Sequence, residues 1–114
     1  MAAAPVDLLQ GTLEFLILKT LSWGPLHGFA IGRWIRKQTD DALEIEEGAL
    51  YPALHRMERR GWVEAEWGVT ENNRRAKFYQ ITRLGRDQLR HEETSWTRYV
   101  AAVSKIMAAA RASA

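Results

Sequence analysis

Residues 48–79 read GALYPALHRMERRGWVEAEWGVTENNRRAKFY, and this stretch decides the fold. At about 100° per residue, Leu50, Leu54 and Met57 share one narrow face, with Ala53 beside them. Gly48, Tyr51, Pro52, His55 and Arg59 fall on the opposite face. The pattern predicts a helix from about Gly48 to Arg60, ended by Gly61, which suits the left-handed position just past a helix. Pro52 limits where that helix begins. A helix-interior proline loses one backbone bond and crowds the residue a turn back, here Gly48, so regular helix starts no earlier than Glu47 or Gly48. Val63, Ala65 and Trp67 then alternate with Trp62, Glu64 and Glu66, as a strand does. Lys77, Tyr79 and Ile81 alternate with Ala76, Phe78 and Gln80, giving its partner. The connection from Gly68 to Arg75 is polar and too long for a two-residue turn, so it is expected to project.

A helix followed by a hairpin with an Asn/Arg tip is suited to duplex DNA. The helix can fill a major groove while the hairpin loop reaches sugar-phosphate or the neighbouring minor groove. The charge distribution supports this reading. Residues 1–47 hold four basic and seven acidic groups, a balance of −3. Residues 48–91 hold nine and five, a balance of +4, and residues 92–114 hold three and two, a balance of +1. The formal net charge is only +2, yet the positive excess sits on the helix and hairpin, as an electrostatic footprint for phosphate requires.

Composition excludes several function classes. At 114 residues the chain is one domain, and 46% hydrophobic with 26% charged residues marks it as globular. It has no cysteine, so disulfides, thiolate nucleophiles and cysteine-ligated zinc are ruled out. The three histidines, His27, His55 and His91, are scattered, with neither metal-ligand spacing nor a nucleophile grouping. Asp40-Asp41 and Glu46-Glu47 are adjacent pairs, not acids facing one another across a cleft. No glycine-rich phosphate loop is present. An enzyme is therefore not expected, and neither a cofactor nor a metal is called for. No apolar run approaches the roughly 18 residues of a membrane span. The start, Met1-Ala-Ala-Ala-Pro5, lacks the pattern of a secretory signal, so a cytoplasmic protein without membrane contact is expected.

Working outward, Leu8 to Trp23 is dense in Leu, Ile and Phe, with Leu13, Leu16, Ile17 and Leu21 at helical spacing. Gly24-Pro25 ends that helix. His27-Gly28 opens a second helix to about Thr39, with Phe29, Ile31, Trp34 and Ile35 apolar and Arg33, Arg36 and Lys37 facing water. Leu43 and Ile45 alternate with Glu44 and Glu46, which predicts a short strand pairing with the hairpin. From Arg83 to about Ala110 the pattern is helical again. Trp96, Tyr99, Val100, Val103, Ile106 and Met107 form an apolar stripe on it. Such a helix, roughly 38 Å long, outruns so small a domain, and a second copy of the chain is the simplest cover for the stripe. The expected fold is mainly α with a small β-hairpin, an α+β winged helix-turn-helix. Residues 8–82 form the DNA-binding domain and 83–110 a C-terminal dimerisation helix, with flexible tails at 1–7 and 111–114. Trp23, Trp34, Trp62 and Trp67 are expected in core or hairpin packing.

Three segments together resemble the PadR-type transcriptional regulators: LEFLILKTLSWGPLHGFAI (Leu13–Ile31), EGALYPALHRMERRGWV (Glu47–Val63) and NNRRAKFYQITRLGRDQL (Asn72–Leu89). The resemblance spans most of positions 8–89. It implies a homodimeric winged helix-turn-helix repressor whose C-terminal helix makes the dimer. The short tail after position 91 is similar to the compact subfamily with one terminal helix. The wording GPLHG, LYPALHRMERRGW and ENNRRAKFY is similar to a group found beside transport permeases in acidobacteria.

The family motif maps onto Tyr51 and Pro52, and the expected DNA-reading face adds Gly48, Ala49, His55, Arg56 and Arg59. Arg59, near the distal end of the helix, suits a phosphate contact better than a base contact. The expected wing comprises Asn72, Asn73, Arg74, Arg75 and Lys77, where Asn-Asn is also turn chemistry. Arg75 and Lys77 are expected to balance Glu64 and Glu66 in part. His27-Gly28, at a helix start whose free amides favour an anion, is the remaining candidate phosphate contact. In the family, drug- or phenolic-responsive members use a site at the dimer axis. That implies a small apolar effector at Trp96, against the plainer reading of seam packing. The rival to a double-stranded-DNA regulator is a winged-helix protein-interaction or architectural module without a specific operator.

Overall fold

The computed structural model describes residues 5–110, and the segments 1–4 and 111–114, both parts of the expected tails, lie outside the described residues. Among the described residues, four helices and a three-stranded antiparallel sheet run in the order α1 (Leu13–Leu21), β1 (Leu26–His27), α2 (Gly28–Gln38), α3 (Glu47–Arg59), β2 (Val63–Val69), β3 (Arg75–Ile81) and α4 (Arg83–Ala108). The sheet order is β1-β3-β2. Ile17, Leu18 and Leu21 of α1, Ile31 and Ile35 of α2, and Leu50, Ala53, Leu54 and Met57 of α3 form one core with Val63, Tyr79, Ile81 and Leu89. This is the winged helix-turn-helix with a long terminal helix that the sequence predicts.

Local chemistry sets the element ends. Gly61 takes φ +75°, the left-handed geometry expected after α3. Pro52 sits inside α3, with Gly48 a turn behind it. In the hairpin, the Thr70 amide donates to the Arg74 carbonyl at 2.8 Å and the Asn73 amide to the Thr70 carbonyl at 2.9 Å. Asn73 is left-handed at φ 59°. This is a turn followed by a left-handed residue, and it is shorter than the expected loop. Gly68 and Arg75 consequently belong to the strands. Val63 pairs with Ile81 and Val69 with Arg75, so the ladder runs the full length of both strands.

Three further expectations are corrected. The third strand is Leu26–His27, paired with Tyr79 and Phe78, and not the Leu43–Ile45 segment. The Leu43 amide donates to Thr39 Oγ1 at 3.0 Å, so it has no need of a ladder, while Leu43 and Ile45 pack against the core as extended chain. Helix α1 is shorter than Leu8–Trp23 because Gly11, at φ +85°, breaks the path into it. Trp23 is 74% exposed and not core. It lies four residues beyond Lys19 on the outward side of α1's register, and the ammonium stands 5.5 Å from the ring centroid.

The wing base is fixed to α4 by a compact joint. The Thr82 amide donates to the Trp62 carbonyl at 3.0 Å, and the Thr82 hydroxyl donates to the Gly61 carbonyl at 2.6 Å. The same hydroxyl oxygen accepts from the Gly85 amide at 3.0 Å, capping α4. Gly85 is buried against Trp62, with no room for a side chain.

Candidate nucleic-acid interface

The apolar face of α3 is consumed by the core, which fixes what its other face presents. Gly48, Ala49, Tyr51, Pro52, His55 and Arg59 are all exposed. Helix α3 starts without a side-chain cap, and a methyl group added at Gly48 would meet nothing within 4 Å. Two salt bridges hold the flanks of the helix. On one side, Arg56 Nη2 lies 2.6 Å from Glu14 Oε1 of α1, with Nε at 3.2 Å. On the other, Lys77 Nζ lies 3.5 Å from Glu58 Oε1, joining β3 to α3. Arg56, part of the expected reading face, has its guanidinium engaged by a half-buried carboxylate from another helix. The Lys77–Glu58 pair links the hairpin to the helix.

The N-terminus of α2 also differs in detail from expectation. His27 Nδ1 accepts from the Ala30 amide at 3.3 Å, so the histidine supplies its own cap and uses one of the amides expected to be open to an anion. Its ring stands edge-on to Phe78 at 5.4 Å and stacks near Phe29 at 6.4 Å. Gly28 is buried, and a Cβ there would fall 2.6 Å from Cε1 of Tyr51 and 2.8 Å from its hydroxyl oxygen. Gly28 therefore lets α2 and α3 approach and does not offer surface itself. The Tyr51 phenol is held above its ordinary value of 10.0, by burial first and then by Glu47. The Tyr79 phenol is raised by burial, Glu58 and Tyr51. Both rings stay neutral well beyond physiological pH.

In the wing, Asn72, Asn73 and Arg74 are exposed at the tip, and Arg75 is exposed at the first position of β3. Arg75 and Lys77 do not face Glu64 and Glu66. Register places Glu66 opposite Phe78 and Glu64 opposite Gln80, on the other side of the pleat. Arg75 instead lies over the Trp67 ring, 4.8 Å from its centroid. Trp67, expected in core or hairpin packing, is 58% exposed, and its guanidinium partner lies outside what alternation reveals.

Helix α4 runs for 26 residues, but only Gly85 and Leu89 of it are buried. Trp96 meets Phe15 of α1 at 6.4 Å and Tyr99 at 6.3 Å. Tyr99, Val100, Val103, Ile106 and Met107 are exposed, the last two at 76% and 79%. An open recess of about 500 Å³ lies beside Trp96, bounded by Leu9, Thr12, Phe15 and Tyr99. Among the described residues, no helix is long and apolar enough to cross a membrane, and no group of three or more His, Cys, Asp or Glu is placed to hold a metal ion.

A three-helix core, a two-stranded wing braced on the third helix, and an outward helix face with basic groups define a winged-helix DNA-binding protein. Comparison with known proteins agrees. The family model described as Transcriptional regulator PadR-like family matches residues 17–91. A transcriptional regulator from Clostridium thermocellum is similar at 29% identity and TM-score 0.78, over 88% of this chain and 97% of that one. A PadR-like transcriptional regulator from Bacillus cereus is similar at 26% identity and TM-score 0.78, over 90% and 97%. An uncharacterised protein of Lysinibacillus sphaericus is 29% identical over 90 residues, 79% of this chain and 83% of that protein. The chain belongs to the PadR-like family of transcriptional regulators. It is a DNA-binding regulator of transcription and not an enzyme.

Proposed function

We propose that the chain is a cytoplasmic homodimeric repressor that binds an inverted-repeat operator in double-stranded DNA. Helix α3 enters the major groove through Gly48, Ala49, Tyr51, Pro52, His55 and Arg59, and the wing residues Asn72, Asn73, Arg74 and Arg75 follow the backbone into the adjoining groove. The two recognition helices of a dimer sit about one DNA turn apart, roughly 34–36 Å. The stripe Tyr99, Val100, Val103, Ile106 and Met107, with Trp96 at its inner end, is the seam that joins the copies. Repression follows from occupancy of the promoter. A small effector that favours another dimer geometry could act near Trp96, in the open recess that Glu92, Ser95 and Gln10 also line.

One observation carries this reading: apart from Tyr51, which packs on Gly28, the residues on the outward face of α3 (Gly48, Ala49, Pro52, His55 and Arg59) are exposed and lie outside the core. Gly48 is the sharpest case, because a glycine in the first turn gives up helix propensity where the fold leaves ample room for a methyl group. A surface that must approach DNA backbone closely explains its choice. Gly48→Ala is expected to leave thermal stability unchanged or slightly raised, and to weaken operator binding about tenfold, the equivalent of about 1.4 kcal/mol. Fluorescence anisotropy of labelled DNA beside a thermal melt measures both. An unchanged affinity would remove α3's N-terminal half from the interface.

A further inference from the structure

We propose that Trp67 is a positioning residue for Arg75, and that the pair forms a preset phosphate clamp at the base of the wing. The inference rests on the proposed role of the wing and adds a residue to it. Trp67 and Arg75 lie on neighbouring strands: Trp67 is directly opposite Lys77, and Arg75 directly opposite Val69, which makes the pair diagonal across one face. Trp67 is 58% exposed, a large apolar ring left in water at a position the core does not reach. The Arg75 guanidinium lies 4.8 Å above its centroid. Arg75 makes no ion pair among the described residues, whereas Lys77 on the same face is held by Glu58.

The geometry leaves Arg75 free to bind while limiting its motion. A guanidinium held over an indole keeps N–H donors that the ring does not use, and these remain open to phosphate oxygens. An unsupported arginine on a wing loses rotamer freedom when it meets DNA, and one already held over a ring loses less. Trp67 therefore contributes affinity without touching the nucleic acid, and the charge that displaces a counterion remains that of Arg75.

A mixed-sequence DNA duplex is sufficient as the probe, since phosphate contacts are sequence-independent. Trp67→Thr, which keeps a strand-favouring side chain at an exposed site, is expected to weaken binding about two- to fivefold. It should leave the slope of log affinity against log salt unchanged. Arg75→Ala is expected to weaken binding and also to reduce that slope by about 0.9. Trp67→Phe, which retains a π face, should restore most of the loss. In the Arg75→Ala background, Trp67→Thr should have no further effect. A full additional loss there would overturn the pairing while leaving the wing in contact with DNA. An Arg75→Ala protein that binds with wild-type affinity and slope would overturn both the clamp and Arg75's place in the wing interface.

Discussion

Gly85→Ala is expected to cost the fold about 3 kcal/mol or more, the largest stability effect of any single methyl group in the domain. A Cβ at this position would overlap the Trp62 carbonyl oxygen and come within 2.8 Å of Ile81 Cγ1 and 3.0 Å of the Trp62 carbonyl carbon. Two of those three atoms are backbone and cannot rotate aside. The collision also falls inside the joint where Thr82 bonds to Gly61 and Trp62 and caps α4 through the Gly85 amide. Relief requires α4 to separate from the wing base, which loses the cap and the burial of Leu89. In a domain of this size the melting temperature should fall by on the order of 12 °C or more at fixed protein concentration. Gly48→Ala, with open space around it, is the matched control. A melting temperature within a few degrees of wild type would show that the joint is slack.

Val103→Glu is expected to have the largest effect on DNA binding without harming the folded monomer. Val103 lies at the centre of the α4 stripe and is partly solvent-exposed in the single chain, so the carboxylate is tolerated there. In a dimer sealed by this stripe, each copy would bring a charge into an apolar seam, at a cost of several kcal/mol per buried, unpaired ion. Sedimentation should report a monomer at concentrations where wild type is dimeric. Operator affinity should fall about a hundredfold or more, because a monomer reads only a half-site and loses the advantage of linkage. A Val103→Glu dimer of wild-type affinity would place the seam elsewhere.

Local rules were sufficient wherever the determinants lie close in sequence. The α3 periodicity, Gly61 as its stop, and the alternation of β2 and β3 are all decided by residues within a few positions of one another. The exposed α3 face was legible for the same reason, since a known core face defines its opposite. Non-local partners were not legible. Arg56 and Glu14 are 42 residues apart, so nothing in the α3 pattern distinguishes an engaged guanidinium from a free one. The two-residue β1 is too short to show a period, and it exists because the edge of β3 was open to Leu26 and His27. Leu43 and Ile45 alternate as a strand would, but the Thr39 hydroxyl satisfies the Leu43 amide and no ladder forms. Trp23 shows that apolar composition at a helix end does not ensure burial, because Leu21 is the last residue of the α1 core face.

The most direct test of the central claim is a comparison of two duplexes of equal length at physiological salt. One carries an inverted repeat selected for tightest binding from the DNA upstream of the gene for this chain, and the other carries the same bases scrambled. Specific recognition by two α3 helices predicts a preference for the repeat of about a thousandfold or more, with one dimer bound per site. Equal affinity for the two duplexes would contradict it and leave a winged helix that holds DNA without reading it.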